Sequence, residues 1–291
     1  MDHRARPYRS VLYIPGSRAR ALEKARTLPV DAIIFDLEDA VSIDEKANAR
    51  QLLTKTLSAG GYDPRAQIVR INGFDTPWGT ADLEAIIAAS PEAILLPKVN
   101  SAADIEALAA RLDAHTETAD TTIWAMMETP RGILNADQIA GAPRMAGFVI
   151  GTNDLAKDLD SRTHPDRTPL LTSLQLCLLA ARAHGLVCLD GVYNSFRDED
   201  GLQRESEQGR DMGFDGKTLI HPAQVAAANQ VFAPSEAEID LARRQIAGFE
   251  TATASGQAIA VVDGSIVENL HVETARATLA KAAVIARLEQ A

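Results

Sequence analysis

Eight short apolar runs, rich in β-branched residues, alternate with longer amphipathic segments over the first 232 residues. We interpret the runs as strands, because continuous apolar strands between helices are typical of a parallel sheet covered on both faces. Eight such units favour a closed (β/α)8 TIM barrel over an open doubly wound sheet. The predicted strands are residues 10–14, 32–36, 67–71, 93–97, 122–127, 147–150, 186–189 and 217–220.

The predicted barrel domain takes residues 1–232, and residues 233–291 form a C-terminal extension of helices and a hairpin. Pro234 and Ser235 are typical of a helix start, and residues 236–255 are long enough for one helix. Asp263-Gly264 between apolar triplets indicates a β-hairpin, and residues 269–288 predict a final helix. The pattern leaves structural cover, a lid or a subunit-exchange element open, and we expect a lid.

Composition excludes several functions. The formal net charge of −11 argues against a general nucleic-acid binder and against attachment to an anionic membrane, but not against an anionic small ligand. No apolar stretch approaches the roughly 18 residues of a membrane span, and the N-terminus lacks a signal-peptide core. Cys177 and Cys188 lie in apolar segments and are interpreted as core residues. We therefore expect a cytoplasmic protein.

Two acidic residues stand at the ends of neighbouring predicted strands. Glu128 follows the fifth strand, and Asp154 follows the sixth. Because parallel neighbours deliver such residues to one end of a barrel, we expect both carboxylates within reach of one cation. Two carboxylates that leave room for water and substrate oxygens suit Mg²⁺, whereas the histidines show no zinc-ligand spacing. The alternative is that each carboxylate only caps its following helix.

Further charged residues lie at the same strand ends. Arg70 is near the end of the third strand, and Asp36, Glu38 and Asp39 form an acidic cluster after the second. We interpret Arg70 as a substrate-binding residue and the acids as groups that hold Arg70 and metal-bound water. The alternatives are a structural ion pair for Arg70 and direct metal ligation by the acids.

A set of short motifs marks the strand ends along most of the chain. Each one alone is weak evidence. Their ordered set resembles the HpcH/HpaI aldolase and citrate lyase β-subunit (CitE-like) family, and within it the enzymes that act on malyl-CoA-type thioesters as lyases or thioesterases. The motifs include Arg9-Ser-Val-Leu-Tyr-Ile-Pro-Gly16, Ile33-Ile-Phe-Asp-Leu-Glu-Asp-Ala-Val41, Val69-Arg-Ile-Asn72, Leu96-Pro-Lys-Val99, Glu128-Thr-Pro-Arg-Gly132, Asp154-Leu-Ala, Gly216-Lys-Thr-Leu-Ile-His-Pro222 and Val262-Asp-Gly264.

The resemblance implies a TIM barrel that assembles as a homo-oligomer, a trimer or hexamer. It implies Mg²⁺ bound by Glu128 and Asp154, with Glu128 also next to the substrate, and Arg70 on the substrate. It further implies that Asp263 in the C-terminal hairpin enters a neighbouring subunit's site as acid or base. The small-molecule partner would be a CoA thioester lying over the barrel mouth, with Arg18 and Lys24 as phosphate contacts.

The expected reaction proceeds through an enolate or another oxyanion. Asp263 of an adjacent chain would take the hydroxyl proton of a β-hydroxyacyl-CoA, and Arg70 would stabilise the oxyanion at the thioester oxygen. Cleavage of the C–C bond gives glyoxylate and acetyl-CoA, whereas attack of water on the thioester gives malate and CoA. The same residues serve both reactions, so lyase and thioesterase stay open.

Three other functions also stay open. A pyruvate-type class II aldolase of the same barrel would have no affinity for CoA. A citrate lyase β subunit would act on an acyl-carrier-protein thioester. Lys98 and Lys217 near the strand ends leave a Schiff-base aldolase possible without supporting it.

Overall fold

In the computed structural model, which describes residues 6–290, eight parallel strands close into a barrel in chain order. The last strand pairs back with the first, where Ser10 lies opposite Lys217. The predicted (β/α)8 fold is therefore confirmed, and every predicted strand is present. The strands are β1 (Ser10–Pro15), β2 (Ala32–Asp36), β3 (Ala66–Arg70), β4 (Ala93–Leu96), β5 (Thr122–Met127), β6 (Met145–Ile150), β7 (Val187–Asp190) and β8 (Gly216–Leu219).

Helices follow each strand of the barrel. Two short helices come after β5, and β6 is followed by a short helix and then a longer one. The helices are α1 (Ala19–Ala25), α2 (Lys46–Ser58), α3 (Gly79–Ile87), α4 (Ala102–Asp113), α5 (Pro130–Leu134), α6 (Ala136–Ala140), α7 (Thr152–Asp158), α8 (Leu171–His184), α9 (Glu199–Met212) and α10 (Val225–Phe232). None of the helices in residues 6–290 is long and apolar enough to span a membrane.

Apolar side chains at alternate strand positions form one buried cluster in the barrel. Ala32 and Ile34 of β2 contribute in this way, as residues two apart on a strand share a face. The largest member is Trp124, whose ring lies 5.3 Å from that of Tyr8. Gly147 makes room for it, because a Cβ there would lie 2.6 Å from the indole. Side chains therefore fill the interior of the barrel, and a site on the barrel axis would lie at the strand ends.

The chain divides into two compact units. Residues Tyr8–Gln230 form the barrel unit, and residues 6–7 and 231–290 belong to the second. The predicted helix–hairpin–helix pattern is present in the second unit, and Ser235 caps its first helix by accepting a hydrogen bond from the Glu238 N–H at 3.2 Å. Its elements are α11 (Glu236–Ala254), β9 (Ala260–Val262), β10 (Ser265–Val267) and α12 (Asn269–Leu288).

The second unit has an apolar core of its own. Ala252, Ala260, Val267 and Val272 are buried together in it. The packing of this unit on a neighbouring subunit remains a prediction.

Candidate active site

A cavity of about 280 Å³ lies at the carboxyl ends of the barrel strands, the end where TIM-barrel active sites lie. Part of its lining is apolar, from residues such as Met126 and Ile150. The predicted site residues Asp36, Asp39, Arg70 and Asp154 also line it. The structure thus brings residues from β2, β3 and α7 to one pocket.

Glu128 and Asp154 face a common point. Strands β5 and β6 pair with Met127 opposite Ile150, so the residues that follow the two strands start side by side. The Lys98 ammonium lies 2.7 Å from Asp154 Oδ1 and 3.6 Å from Glu128 Oε1. Because one cation reaches both carboxylates, their geometry suits a shared metal site.

Helix capping does not explain Glu128. The cap of α5 is Thr129, whose hydroxyl accepts a hydrogen bond from the Gly132 N–H at 3.0 Å. Glu128 Oε1 instead accepts a hydrogen bond from the backbone N–H of Lys98 at 2.8 Å. The carboxylate is therefore directed across to the end of β4 rather than onto its own helix.

The environment of Glu128 favours its protonated form. Its side chain is only 2% exposed. Burial raises its pKa to about 7, although the charge and the backbone N–H of Lys98 oppose the rise. Asp154 adds to the rise as a second negative charge. An additional cation next to this buried carboxyl would stabilise its ionised form. The ionised form is also the one that can bind a metal.

Arg70 is fixed by two carboxylates. Its Nε donates to Asp36 Oδ1 at 2.7 Å, and its Nη2 donates to Asp36 Oδ2 at 2.6 Å. Nη1 lies 3.0 Å from Glu38 Oε2. Burial alone would lower the pKa of Arg70, but the Asp36 carboxylate holds that pKa well above its ordinary value. The guanidinium is therefore a permanent cation at the cavity, and because Nη1 also donates to the Met126 sulfur at 3.7 Å, few of its five N–H groups remain for a ligand.

The acidic loop after β2 is itself held in place. Asp36 accepts hydrogen bonds from the backbone N–H groups of Glu38 and Ala40 at 2.9 and 3.0 Å. The Lys46 ammonium donates to the carbonyls of Leu37 and Glu38 at 3.0 and 2.8 Å. Asp36 and Glu38 thus hold Arg70, one of the two roles that the sequence left open, while Asp39 is exposed at the cavity.

Six charged groups at the strand ends, which we call the rim cluster, carry unequal charge. Four are carboxylates and two are cations, so the formal charge is −2 when all are ionised. This excess equals the charge of one divalent ion, and Asp39, which also lines the cavity but forms no ion pair with the cluster, is not counted in it. The members are Asp36, Glu38, Arg70, Lys98, Glu128 and Asp154.

Sequence reasoning missed other residues at the cavity. The Tyr13 ring lies against Arg70, 4.9 Å from guanidinium to ring centroid, and its hydroxyl is 3.8 Å from the Met126 sulfur. Asn153 and Asn194 exchange amide hydrogen bonds of 2.7 and 3.3 Å, which tie the loops after β6 and β7 together. Tyr13 lies in the Arg9–Gly16 motif, close to the end of β1. This position was the sequence signal that could have identified Tyr13 as a cavity residue.

Other predicted site residues lie outside this cavity. Arg18 and Lys24 are exposed at the N-cap and in the last turn of α1, and neither is among the cavity-lining residues. Asp263 belongs to the second unit and occupies the two-residue turn of the hairpin. There its carboxylate pairs with Arg244 at 2.9 Å, and its side chain is 58% exposed.

The two strand-end lysines are poorly suited to a Schiff base. Lys217 is fully buried, and its ammonium contacts Asp190 Oδ2 at 3.1 Å and Glu205 Oε1 at 2.7 Å. Burial lowers the pKa of Lys98, but its hydrogen bond to Asp154 and the Glu128 charge outweigh this and raise the pKa above its ordinary value. Nucleophilic lysines need the opposite shift.

Comparison with known proteins places the chain in a family. A family model for HpcH/HpaI aldolase/citrate lyase matches residues 9–222. The chain belongs to this family. It is 64% identical over 286 residues to a (3S)-malyl-CoA thioesterase of Cereibacter sphaeroides strain KD131, covering 98% of each chain. It is 37% identical to citrate lyase subunit beta of Leuconostoc mesenteroides subsp. cremoris, covering 89% of this chain and 88% of that one.

A solved relative shares the fold over nearly the whole length. CitE from Mycobacterium tuberculosis, in complex with magnesium, acetoacetate and coenzyme A, is 30% identical with a TM-score of 0.79. The match covers 96% of this chain and 99% of that chain. The predicted resemblance to the HpcH/HpaI and citrate lyase family is therefore confirmed.

Proposed function

We propose that this protein is a Mg²⁺-dependent enzyme that acts on a β-hydroxyacyl-CoA of the malyl-CoA type, with thioester hydrolysis as its main reaction. The observation that carries the proposal is that Glu128 and Asp154 both contact the Lys98 ammonium, beside a cavity that Arg70 lines. Full-length similarity to a (3S)-malyl-CoA thioesterase supports the substrate. The CitE complex with magnesium and coenzyme A supports the cofactor and the CoA ester.

Glu128 and Asp154 are the residues that would hold the metal. The fit rests on their hard oxygen donors and on the −2 charge of the rim cluster, which one divalent ion would balance. When bound, Mg²⁺ supplies a Lewis acid that polarises substrate oxygens and lowers the pKa of a coordinated hydroxyl.

Arg70 is the residue that we assign to the oxyanion. Asp36 and Glu38 hold the guanidinium rigidly, so no reorganisation is needed when charge develops on the thioester oxygen. The surrounding carboxylates keep Arg70 from binding an anionic ground state strongly. Its remaining N–H groups are therefore best used when new negative charge appears during the reaction.

We assign the acid or base role to Asp263 of a neighbouring subunit. The exposed hairpin turn presents this carboxylate, with Arg244 as its partner within the chain. This assignment requires a homo-oligomer, and we propose a trimer or a hexamer. The CoA phosphates would meet the exposed cations Arg18 and Lys24. Buried free Cys177 and Cys188 suit a reducing compartment, and we expect the cytoplasm.

Carbon–carbon cleavage is the second candidate reaction. It is favoured by the similarity to citrate lyase subunit beta. An enolate formed by such cleavage would carry its charge on the same thioester oxygen that Arg70 serves in hydrolysis. Only the products therefore separate the two activities.

The test is to incubate the purified protein with Mg²⁺ and a panel of 3-hydroxyacyl-CoAs that includes (3S)-malyl-CoA. Free thiol and glyoxylate are measured in the same samples, with EDTA and Glu128→Gln as controls. We expect Mg²⁺-dependent release of thiol from malyl-CoA that both controls abolish. Activity indifferent to EDTA would contradict the metal assignment. Binding of pyruvate-type acids without affinity for CoA, or turnover only on an acyl-carrier-protein thioester, would favour the aldolase or citrate lyase alternatives.

A further inference from the structure

Lys98 takes up an unusual backbone conformation to reach the two carboxylates. Its φ of +54° lies in the left-handed region, which a side-chain-bearing residue adopts only at a cost. This conformation follows directly on β4 and lets the residue contact Glu128 twice, through the backbone N–H at 2.8 Å and through the ammonium at 3.6 Å. The strained conformation therefore positions Lys98 against the two carboxylates and is not needed for the pairing of β4.

The ammonium of Lys98 uses the oxygens that a metal would use. It lies 2.7 Å from Asp154 Oδ1, a short charge-assisted contact, and its second partner is Glu128 Oε1. A Mg²⁺ ion bound to these oxygens would lie close to the ammonium, and the repulsion between the two positive charges would drive the lysine away. The side chain of Lys98 is 42% exposed, so it has solvent to move into.

We propose that Lys98 is a tethered competitor for the divalent cation, which Mg²⁺ displaces from Glu128 and Asp154 when it binds. The inference rests on the proposed metal site and assigns a function to a residue outside the ligand set. In this arrangement the lysine holds the two carboxylates convergent, and it lowers their affinity for the metal by occupying the position between them. Metal binding then exchanges one positive charge for two at these carboxylates, which reduces the formal charge of the rim cluster from −2 to −1 once the Lys98 ammonium has moved into solvent.

Direct measurement of metal affinity tests this without reference to turnover. Mn²⁺ is titrated into the EDTA-washed, dialysed protein at pH 8, and the free aqua ion is followed by electron paramagnetic resonance. Lys98→Met keeps the length of the side chain without its charge. We expect it to bind Mn²⁺ at least about tenfold more tightly than the wild type, by analogy with the low end of the roughly 1–3 pKa units by which a neighbouring cation lowers the proton affinity of a carboxylate. Mg²⁺ should displace the Mn²⁺ in both proteins.

Two variants control for charge and for folding. Lys98→Arg keeps a cation at the site and should bind Mn²⁺ no more tightly than the wild type. Lys55→Met removes an exposed charge from the last turn of α2 and should leave the affinity unchanged. The thermal midpoint gives a second measurement: Lys98→Met should melt below the wild type in EDTA and gain more from saturating Mg²⁺, because ligand linkage follows affinity.

The outcomes separate the two levels of the proposal. Tighter Mn²⁺ binding in Lys98→Met alone supports the competitor role. Equal or weaker binding in Lys98→Met, beside a wild type that binds Mn²⁺, overturns that role and leaves the metal site intact. A wild-type protein that binds no Mn²⁺ at pH 8 overturns the metal site itself.

Discussion

Metal affinity should depend on pH in a way that the environment of Glu128 sets. Burial raises the pKa of this carboxyl to about 7, and the protonated form cannot act as a ligand. The carboxylate is therefore mostly free for the metal at pH 8, whereas the proton competes at pH 6. The apparent Kd for Mn²⁺ should rise about tenfold from pH 8 to pH 6, since each unit below the pKa costs a factor of about ten. A carboxyl of ordinary pKa would change the Kd by only about a few per cent over the same range.

The assay is the same Mn²⁺ titration at several values between pH 6 and pH 8, at constant ionic strength. Glu128→Gln is the matched control, because the amide keeps the shape of the carboxyl but does not titrate. It should bind more weakly and show a flat profile. Calorimetry in two buffers of different ionisation enthalpy should also detect a proton released on metal binding at pH 6 and little release at pH 8. A flat wild-type profile would refute the link between burial, the raised pKa and ligation.

Three further predictions address other parts of the site. Gly151→Ala should lose most Mn²⁺ affinity, because its Cβ would lie 2.5 Å from Glu128 Cβ and 2.6 Å from Glu128 Oε2 and would displace that carboxylate; unchanged affinity by the same titration would count against this packing argument. Arg70→Met should lower kcat for thiol release by about 10²–10³, as loss of one oxyanion donor does, and a change confined to KM would assign Arg70 to ground-state binding instead. Asp263→Ala should still bind the CoA ester, but its turnover number should fall by a factor of at least about 10². If subunits share sites, refolding a mixture of Asp263→Ala and Glu128→Gln chains should restore part of the activity. Full activity of Asp263→Ala alone would remove it from the mechanism.

The barrel and the positions of the acids could be predicted from the sequence because both follow from strand periodicity. Once the fifth and sixth runs are parallel neighbours, Glu128 and Asp154 must start at the same end of the barrel. The resemblance to the HpcH/HpaI and citrate lyase family then limited the expected substrates to malyl-CoA-type thioesters. For Asp36 and Glu38 the sequence left two roles open, and the structure places both carboxylates on the Arg70 guanidinium, as the first of these roles requires.

The contacts that depend on side-chain direction could not be predicted in this way. The approach of Lys98 to the acids requires a left-handed backbone conformation at a residue that is not glycine. No pattern in the sequence predicts that conformation. The Asn153–Asn194 pair joins loops that are 41 positions apart and depends on how two turns fold. For Lys217, position near a strand end suggested a reactive residue, but its side chain lies in a buried ion cluster with Asp190 and Glu205.

The charge balance of the rim cluster links these observations. Arg70 is the cation best placed for an anionic substrate, yet Asp36 and Glu38 already neutralise it. Lys98 is engaged in the same way by Glu128 and Asp154. An anionic acyl-CoA therefore meets a net negative site, and a bound divalent cation makes that site less negative, so electrostatics couples substrate binding to the metal even before any direct coordination is considered. The same arrangement keeps Arg70 rigid, and in the proposed mechanism this residue serves charge that develops late, which is the use of binding energy that raises kcat rather than lowers KM.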